Sequence, residues 1–253
     1  MALYCVNDVV SYTDGFLRVG DIGDDPRALN GLQVENSGRL SSILAAVDAC
    51  QATIDAAVRL GASLMVVHHG IFWDGLKPLA ARHGRRVRAL VLGDVALYAA
   101  HLPLDCHAEV GNNWVLAREL GVTGLSSLGV VKGSAVGVRG LLDVSREELV
   151  ARLAAVLGGL PRLVPTGPSQ VRHAAIVTGA GASELPRARD AGVDTFITGE
   201  ASHHAFFDAE EWGINLVLGG HYATETVGVK ALASHLARRF EVAWRFVDHP
   251  TGF

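Results

Sequence analysis

Apolar residues in this chain fall into short continuous runs, separated by glycines and by stretches with a helical period. Ser42 to Val47, Ser63 to Val67 and Ala96 to Ala100 read as strands. Gln51 to Leu60, Arg85 to Leu92 and Trp114 to Leu120 read as the helices that follow them. Apolar runs alternating with helical segments predict βαβ units on a parallel sheet. The order recurs later, with strands at Ala174 to Val177, Asp194 to Thr198 and Ile214 to Leu218. Helices around Leu185 to Ala191, His204 to Trp212 and Val227 to Arg239 alternate with those strands.

The echo extends to individual residues. Leu60 to His69 resembles Ala191 to Glu200, and in that register His69 matches Glu200, His101 matches His221 and Asp105 matches Glu225. The first copy carries extra residues over 72–81. The expected fold is therefore α/β, internally duplicated, with mainly parallel sheets. The first half covers 1–125 and the second 126–253, with a short linking segment over 126–170 and no inserted regulatory domain. Within that segment Ala135 to Val144 reads as a strand pair or one long strand, Ser145 as a helix cap with Glu148 completing a capping box, and Pro161 to Pro165 as a further strand. The linking segment is expected to extend the second half's sheet.

With 49% hydrophobic and 19% charged residues, 253 positions suffice for a large core and exclude a disordered chain. A net charge of −4 with no basic run gives no general attraction to nucleic acid or to an anionic membrane. No apolar stretch is long enough to cross a bilayer, and the first residues lack the basic start and apolar core of a secretory signal. The three cysteines, Cys5, Cys50 and Cys106, form no CxxC pair, which suits a reducing compartment. A cytoplasmic protein is expected.

The candidate chemistry sits at strand ends. His68-His69 closes one apolar run, His101 opens a His-x-x-x-Asp spacing to Asp105 after another, and His221 opens a His-x-x-x-Glu spacing to Glu225 after a third. Imidazoles and carboxylates gathered there are what a divalent-metal site needs. Neighbouring residues on a strand face opposite ways, so His68 and His69 need Gly70 to free the backbone and turn them together. The alternative reading is a pair of packed or surface histidines. Glu225 lies on one helix face with His221 and could bridge two cations, or could merely complement a helix N-terminus. Pro103 is expected to make the His101 to Asp105 stretch a turn.

Glu200, after Gly199 at a strand end, is a candidate general base or outer-shell acceptor, and His101 and His204 are candidates to move a proton. His203 faces a substrate or caps a helix, and His107 reads as a solvated loop residue. His83, His173, His235 and His249 read as surface residues. Gly179-Ala-Gly181 resembles a phosphate loop but lacks the full GxGxxG pattern and a Walker lysine. No Gly-x-Ser-x-Gly elbow is present, which argues against a serine hydrolase.

Together these motifs resemble the dinuclear-metal proteins of the NIF-three-like family, often labelled GTP cyclohydrolase 1 type 2 homologues. The resemblance spans nearly the whole chain, through Asn30 to Val34, His68-His69-Gly70, His101-x-Pro-Leu-Asp105, Gly179 to Gly181, Asp194 to Glu200 and Gly220-His221-x-x-Thr-Glu225. It implies metal ligands His68, His69, Asp105, His221 and Glu225, with Glu225 bridging two divalent ions (Zn, Fe, Mn or Co). It also implies two intertwined halves and a homohexameric ring with the metals facing an internal cavity. The chain departs from many members in having Ala28-Leu29 where they carry Trp-Asp, and it lacks the insertion some carry between the halves.

The implied activity is metal-dependent hydrolysis of a purine nucleotide or related substrate, with Glu200 or His101 as proton carriers. The competing expectation is a non-catalytic protein that stores, delivers or senses metal or binds a partner.

Overall fold

The computed structural model describes residues 4–73, 75, 77–131, 134–135 and 137–253. Asp74 and Leu76, in the extra residues of the first copy, and Val136, in the expected strand over 135–144, lie outside the described residues. In chain order, the first elements are α1 (Val6–Leu17), β1 (Gly31–Val34), β2 (Ser42–Asp48), α2 (Gln51–Arg59), β3 (Leu64–His69), α3 (Ala81–Leu92) and β4 (Ala96–Ala99). Then come α4 (Leu102–Asp105), α5 (Asn112–Glu119), β5 (Thr123–Ser127), β6 (Val130–Val131), β7 (Ser134–Ala135), β8 (Val138–Ser145), α6 (Arg146–Leu157) and β9 (Arg162–Val164). The rest are β10 (Gln170–Val177), a 3₁₀ turn (Gly181–Glu184), α7 (Leu185–Asp190), β11 (Thr195–Thr198), α8 (Ala205–Trp212), β12 (Asn215–Leu218), α9 (His221–Thr224), α10 (Thr226–Phe240) and β13 (Ala243–Phe246).

The chain divides into two compact units, Met1–Leu104 with Val229–His249, and Asp105–Gly228 with Pro250–Phe253. The single cut expected at 125/126 is thus displaced. The physical reason lies in the strands: β13, from the end of the chain, pairs in parallel with β2 and so belongs to the first sheet.

The first unit's sheet has the order β1-β4-β3-β2-β13. Strands β2, β3 and β4 run parallel, with β1 antiparallel on the outer edge of β4. Alternate residues Leu44, Ala46, Met65, Val67, Leu97 and Ala99 join Ile54 and Ala57 of α2 and Leu90 of α3 in one core. The intervening residues Ile43, Ala45, Leu64, Val66, Ala96 and Tyr98 are also buried. Both sheet faces are therefore covered, which is why these strands read as unbroken apolar runs. Tyr98 donates its hydroxyl hydrogen to Asp14 of α1, 2.7 Å away, and satisfies the only polar atom of its side chain.

The second unit's sheet, β5-β8-β10-β11-β12-β9, repeats the pattern. Strands β10, β11 and β12 are parallel, and β9 is antiparallel on the edge of β12, as β1 is on β4. One face packs Ala174, Ile176, Ile197 and Val217 against Leu116 of α5 and Leu149 and Leu153 of α6. The other packs Ala175, Val177, Phe196 and Leu216 against α7 and α8. The linking segment does extend this sheet, through β8 and β9. Ser145 caps α6 as expected, its hydroxyl accepting the Glu148 amide at 3.1 Å.

Pro103 does not prevent a helix. It occupies the second position of the one-turn helix α4, where an amide hydrogen would have no partner within the helix in any case. Among the described residues, no helix is long and apolar enough to cross a membrane.

Candidate metal centre

In the first unit, β3 carries four buried apolar residues and then His68, which is buried, and His69, which is half-buried. At the strand's end their rings converge to centroids 4.6 Å apart. Gly70 contributes space and not backbone freedom, since its φ is not positive. A Cβ there would fall 2.2 Å from the Gln33 side chain, whose Oε1 accepts the Ile71 amide.

Each histidine of this unit's cluster has its Nδ1 held by an acceptor. His68 Nδ1 lies 2.9 Å from the Ala100 carbonyl, which can only accept, so Nδ1 bears a proton and, in the neutral ring, Nε2 is the atom left to bind a cation. His69 Nδ1 lies 2.9 Å from Asp48 Oδ1, and Asp48 is its register partner at the end of β2. His101 Nδ1 lies 2.8 Å from Asp24 Oδ1. The ring of His101 is 5.0 Å from that of His68 and 5.7 Å from that of His69. One ligand atom from each of the three lies within 4.8 Å of the others. Trp73 meets His69 and His101 edge-on, at 5.4 and 4.7 Å.

Asp24 comes from the loop between α1 and β1, and its carboxylate is 7% exposed. Its Oδ2 accepts Asn30 Nδ2 at 2.8 Å and the Leu102 amide at 3.0 Å, while Asn30 Oδ1 accepts the His101 amide at 2.7 Å. Burial raises the Asp24 pKa, but His101, Asn30 and the Asp25 amide outweigh it and hold the carboxyl below its ordinary value.

In the second unit, β12 ends at Gly219-Gly220 and His221 opens α9. Glu225, 4% exposed, follows α9, with Oε1 3.3 Å from His221 Nε2. Glu200 Oε1 lies 2.9 Å from His221 Nδ1. The hydrogen bond to Glu225, with Glu225's and Glu200's negative charge, overcomes burial and pushes the His221 pKa up to about 9. The same negative charge also favours a metal cation.

Asp105 Oδ1 accepts Asn112 Nδ2 at 2.8 Å, and Asn112 Oδ1 accepts the Gly228 amide at 2.7 Å. Neighbouring Asn113 accepts the Thr178 amide at 2.8 Å. Both asparagines are fully buried at the start of α5.

The Gly179–Gly181 segment is not a phosphate loop. Its Gly179 and Gly181 amides donate to the hydroxyls of Thr224 and Thr198, at 3.0 and 3.1 Å, so they are already used inside the unit. Gly179, at φ +63°, instead leaves room for Glu225, whose Oε1 would lie 2.2 Å from an added Cβ.

The first unit brings His68, His69 and His101 together, and the second brings His221, Glu225 and Glu200 together. His203 and His204 are exposed. His107 accepts the Glu109 and Val110 amides, each at 3.3 Å, as a loop residue would. His235 is not a simple surface residue: it stacks on Phe16 at 4.2 Å and bonds the Tyr12 hydroxyl at 2.7 Å. The sequence reading missed Asp24, Asp48, Asn112 and Asn113. Only Asp48 left a usable signal, at the C-terminal end of a parallel strand, where ligand-binding groups collect.

The chain matches the Duf34/NIF3 (NGG1p interacting factor 3) family over residues 5–251. A Halobacterium salinarum protein named GTP cyclohydrolase 1 type 2 homolog is 45% identical, covering 98% of this chain and 99% of its own. A Deinococcus radiodurans protein of the same name is 37% identical, over 97% of this chain and 94% of its own. The crystal structure of TTHA1606 from Thermus thermophilus superposes with a TM-score of 0.90 at 42% identity, covering 98% of this chain and 99% of that one. With a match of that extent, and full-length relatives well above 30% identity, the chain belongs to the Duf34/NIF3 family.

Proposed function

We propose that this protein is a dinuclear metal-dependent hydrolase acting on a purine nucleotide or a related substrate. The observation that carries the reading is the fixed orientation of the imidazoles. His68, His69 and His221 each have Nδ1 held by a carbonyl or carboxylate, at 2.9 Å in all three cases. Outer-shell acceptors of this kind are how proteins direct Nε2 at a metal.

The proposed ligands are His68, His69, Asp105, His221 and Glu225, with Glu225 shared by two ions. Three imidazoles and two carboxylates suit zinc, iron, manganese or cobalt without choosing among them. When bound, such ions supply Lewis-acid polarisation and lower the pKa of a water toward neutrality. Binding at Nε2 would displace the proton that His221 shares there with Glu225. Glu200 Oε1 would keep the Nδ1 hydrogen bond, and the carboxylate, on a side chain 47% exposed, is the proposed proton carrier.

The test is elemental analysis of protein prepared without chelator, followed by a turnover screen across nucleotides and phosphoesters, GTP first. Close to two ions per chain and a rate abolished by chelation are expected. In that assay Glu200→Gln should slow turnover by about 10²-fold or more with metal retained. Metal-free protein, or a rate indifferent to chelation, would overturn the reading.

The family's own description favours a second reading, because it names a factor by a protein interaction. Under it the ions are stored, delivered or sensed, and both would remain bound while no substrate turns over.

We also propose a homohexamer, on the strength of the family resemblance. Exposed apolar side chains including Leu160 (90%), Leu92 (80%) and Val130 (59%) are compatible with contacts between copies. Light scattering at micromolar concentration should give six times the chain mass, and a monomer would exclude it.

A further inference from the structure

We propose that His101 is an additional metal donor, completing a three-imidazole face with His68 and His69, and that Asp24 is the positioning residue that fixes its tautomer. The inference rests on the dinuclear reading above and adds two residues to it. Its grounds lie within the first unit. One ligand atom each from His68, His69 and His101 falls within 4.8 Å of the others. In all three rings Nδ1 is taken by an acceptor, from Ala100, Asp48 and Asp24 respectively. With Nδ1 taken, Nε2 is the atom that each neutral ring can offer to a cation.

Asp24 is built for this task. Its Oδ2 accepts two donors, Asn30 Nδ2 and the Leu102 amide, while its Oδ1 accepts the Asp25 amide and faces His101 Nδ1. Asn30 holds the His101 backbone amide from the other side. Both the ring and the main chain of His101 are thus clamped by one loop, between α1 and β1. The edge-on Trp73 ring, 4.7 Å from His101, limits how far the imidazole can swing.

The two residues can be separated by substitution. His101→Gln removes the imidazole donor. Asp24→Asn puts an amide where a carboxylate accepted four donors. Turning its NH₂ toward Oδ2's place opposes two of them, Asn30 and Leu102. Turning it toward Oδ1's place opposes only the Asp25 amide, provided that His101 changes tautomer and moves its proton to Nε2. The second arrangement is favoured, and it removes the lone pair from the metal side.

The experiment is titration of the metal-free full-length protein with cobalt(II) chloride, followed by its visible absorption bands. Wild type should take up two ions per chain. His101→Gln and Asp24→Asn should each weaken one of the two by roughly 10- to 100-fold and shift its bands, with the other ion unaffected. If His101→Gln binds both ions with wild-type affinity and band positions, the donor role is overturned and the dinuclear reading stands. If only Asp24→Asn behaves as wild type, the positioning role is overturned. If the wild type binds no cobalt, the dinuclear reading itself fails, and this inference with it. Should Asp24→Asn fail to fold, His101→Gln decides the question alone.

Discussion

Glu225→Gln is expected to release both metal ions, while His68→Ala releases mainly one. Glu225 is 4% exposed, so water has little access to replace it as a ligand. Its Oε1 lies 3.3 Å from His221 Nε2, so the carboxylate and the imidazole already act as one unit. A carboxylate has two equivalent anionic oxygens and can serve two cations, whereas an amide offers one neutral oxygen. The substitution preserves shape and removes one negative charge from each ion's surroundings. It also withdraws the larger of the two influences that raise the His221 pKa. Loss of an outer-shell partner typically weakens metal binding 10- to 100-fold, so removal of a shared ligand should cost more than about 100-fold at both sites. His68→Ala deletes one terminal imidazole and leaves Glu225 in place. Elemental analysis per chain and stepwise titration would reveal the contrast; equal partial losses in the two variants would exclude a bridging Glu225.

The largest effect on stability is expected from Gly199→Ala, at a position without any ligand atom. An added Cβ would lie 2.6 Å from the Gly179 carbonyl oxygen, 2.8 Å from the His221 Cα and 2.9 Å from Thr224 Oγ1. Two of these are backbone atoms, which cannot swing aside as a side-chain tip can. The Gly199 amide also donates to that same Gly179 carbonyl at 3.0 Å, so relief by backbone movement breaks a hydrogen bond. Overpacking of this kind costs about 1–3 kcal/mol, and at about 2–4 °C per kcal/mol the Tm should fall by roughly 2–12 °C. Gly158→Ala is the control: its φ is +75° with nothing within 4 Å, so only backbone strain of about 1 kcal/mol applies. Melting should be followed on metal-free protein, so that ligand loss does not contribute. A Gly199→Ala protein that melts with the wild type would refute the packing argument.

The parts of the fold that the sequence made legible are those buried on both sides. β2, β3, β4, β11, β12 and the Ala174 to Val177 part of β10 are covered by helices or by further structure on both faces, and their largely apolar runs follow from that. β5, by contrast, is a largely exposed edge strand of Thr, Gly, Leu and Ser, and carries no such signature. β13 is half-exposed, and its place depends on a partner strand far back in the chain, which no local pattern encodes. The same division holds at the candidate site. The proposed ligands follow strand ends and repeat at matching places in the two halves, so spacing exposes them. Asp24 lies in an irregular loop and reaches His101 across 77 positions, and only the folded chain brings the two together. The Gly179–Gly181 segment shows the opposite failure. Its glycines imitate a nucleotide motif, but Gly179 leaves space for Glu225 and Gly181 for Val177 and Thr198.

The pairing of β13 with β2 also sets an order on assembly during synthesis. A ribosome adding about 5–20 residues per second delivers β1 to β4 early, then every strand of the second sheet, and only at the end residues 243–246. Until those last residues emerge, the edge of β2 is an open template whose amides and carbonyls have no partner strand. The second unit, continuous from Asp105 to Gly228, has all its strands before the first unit's sheet can close. The sheet that begins first on the ribosome is therefore the one completed last.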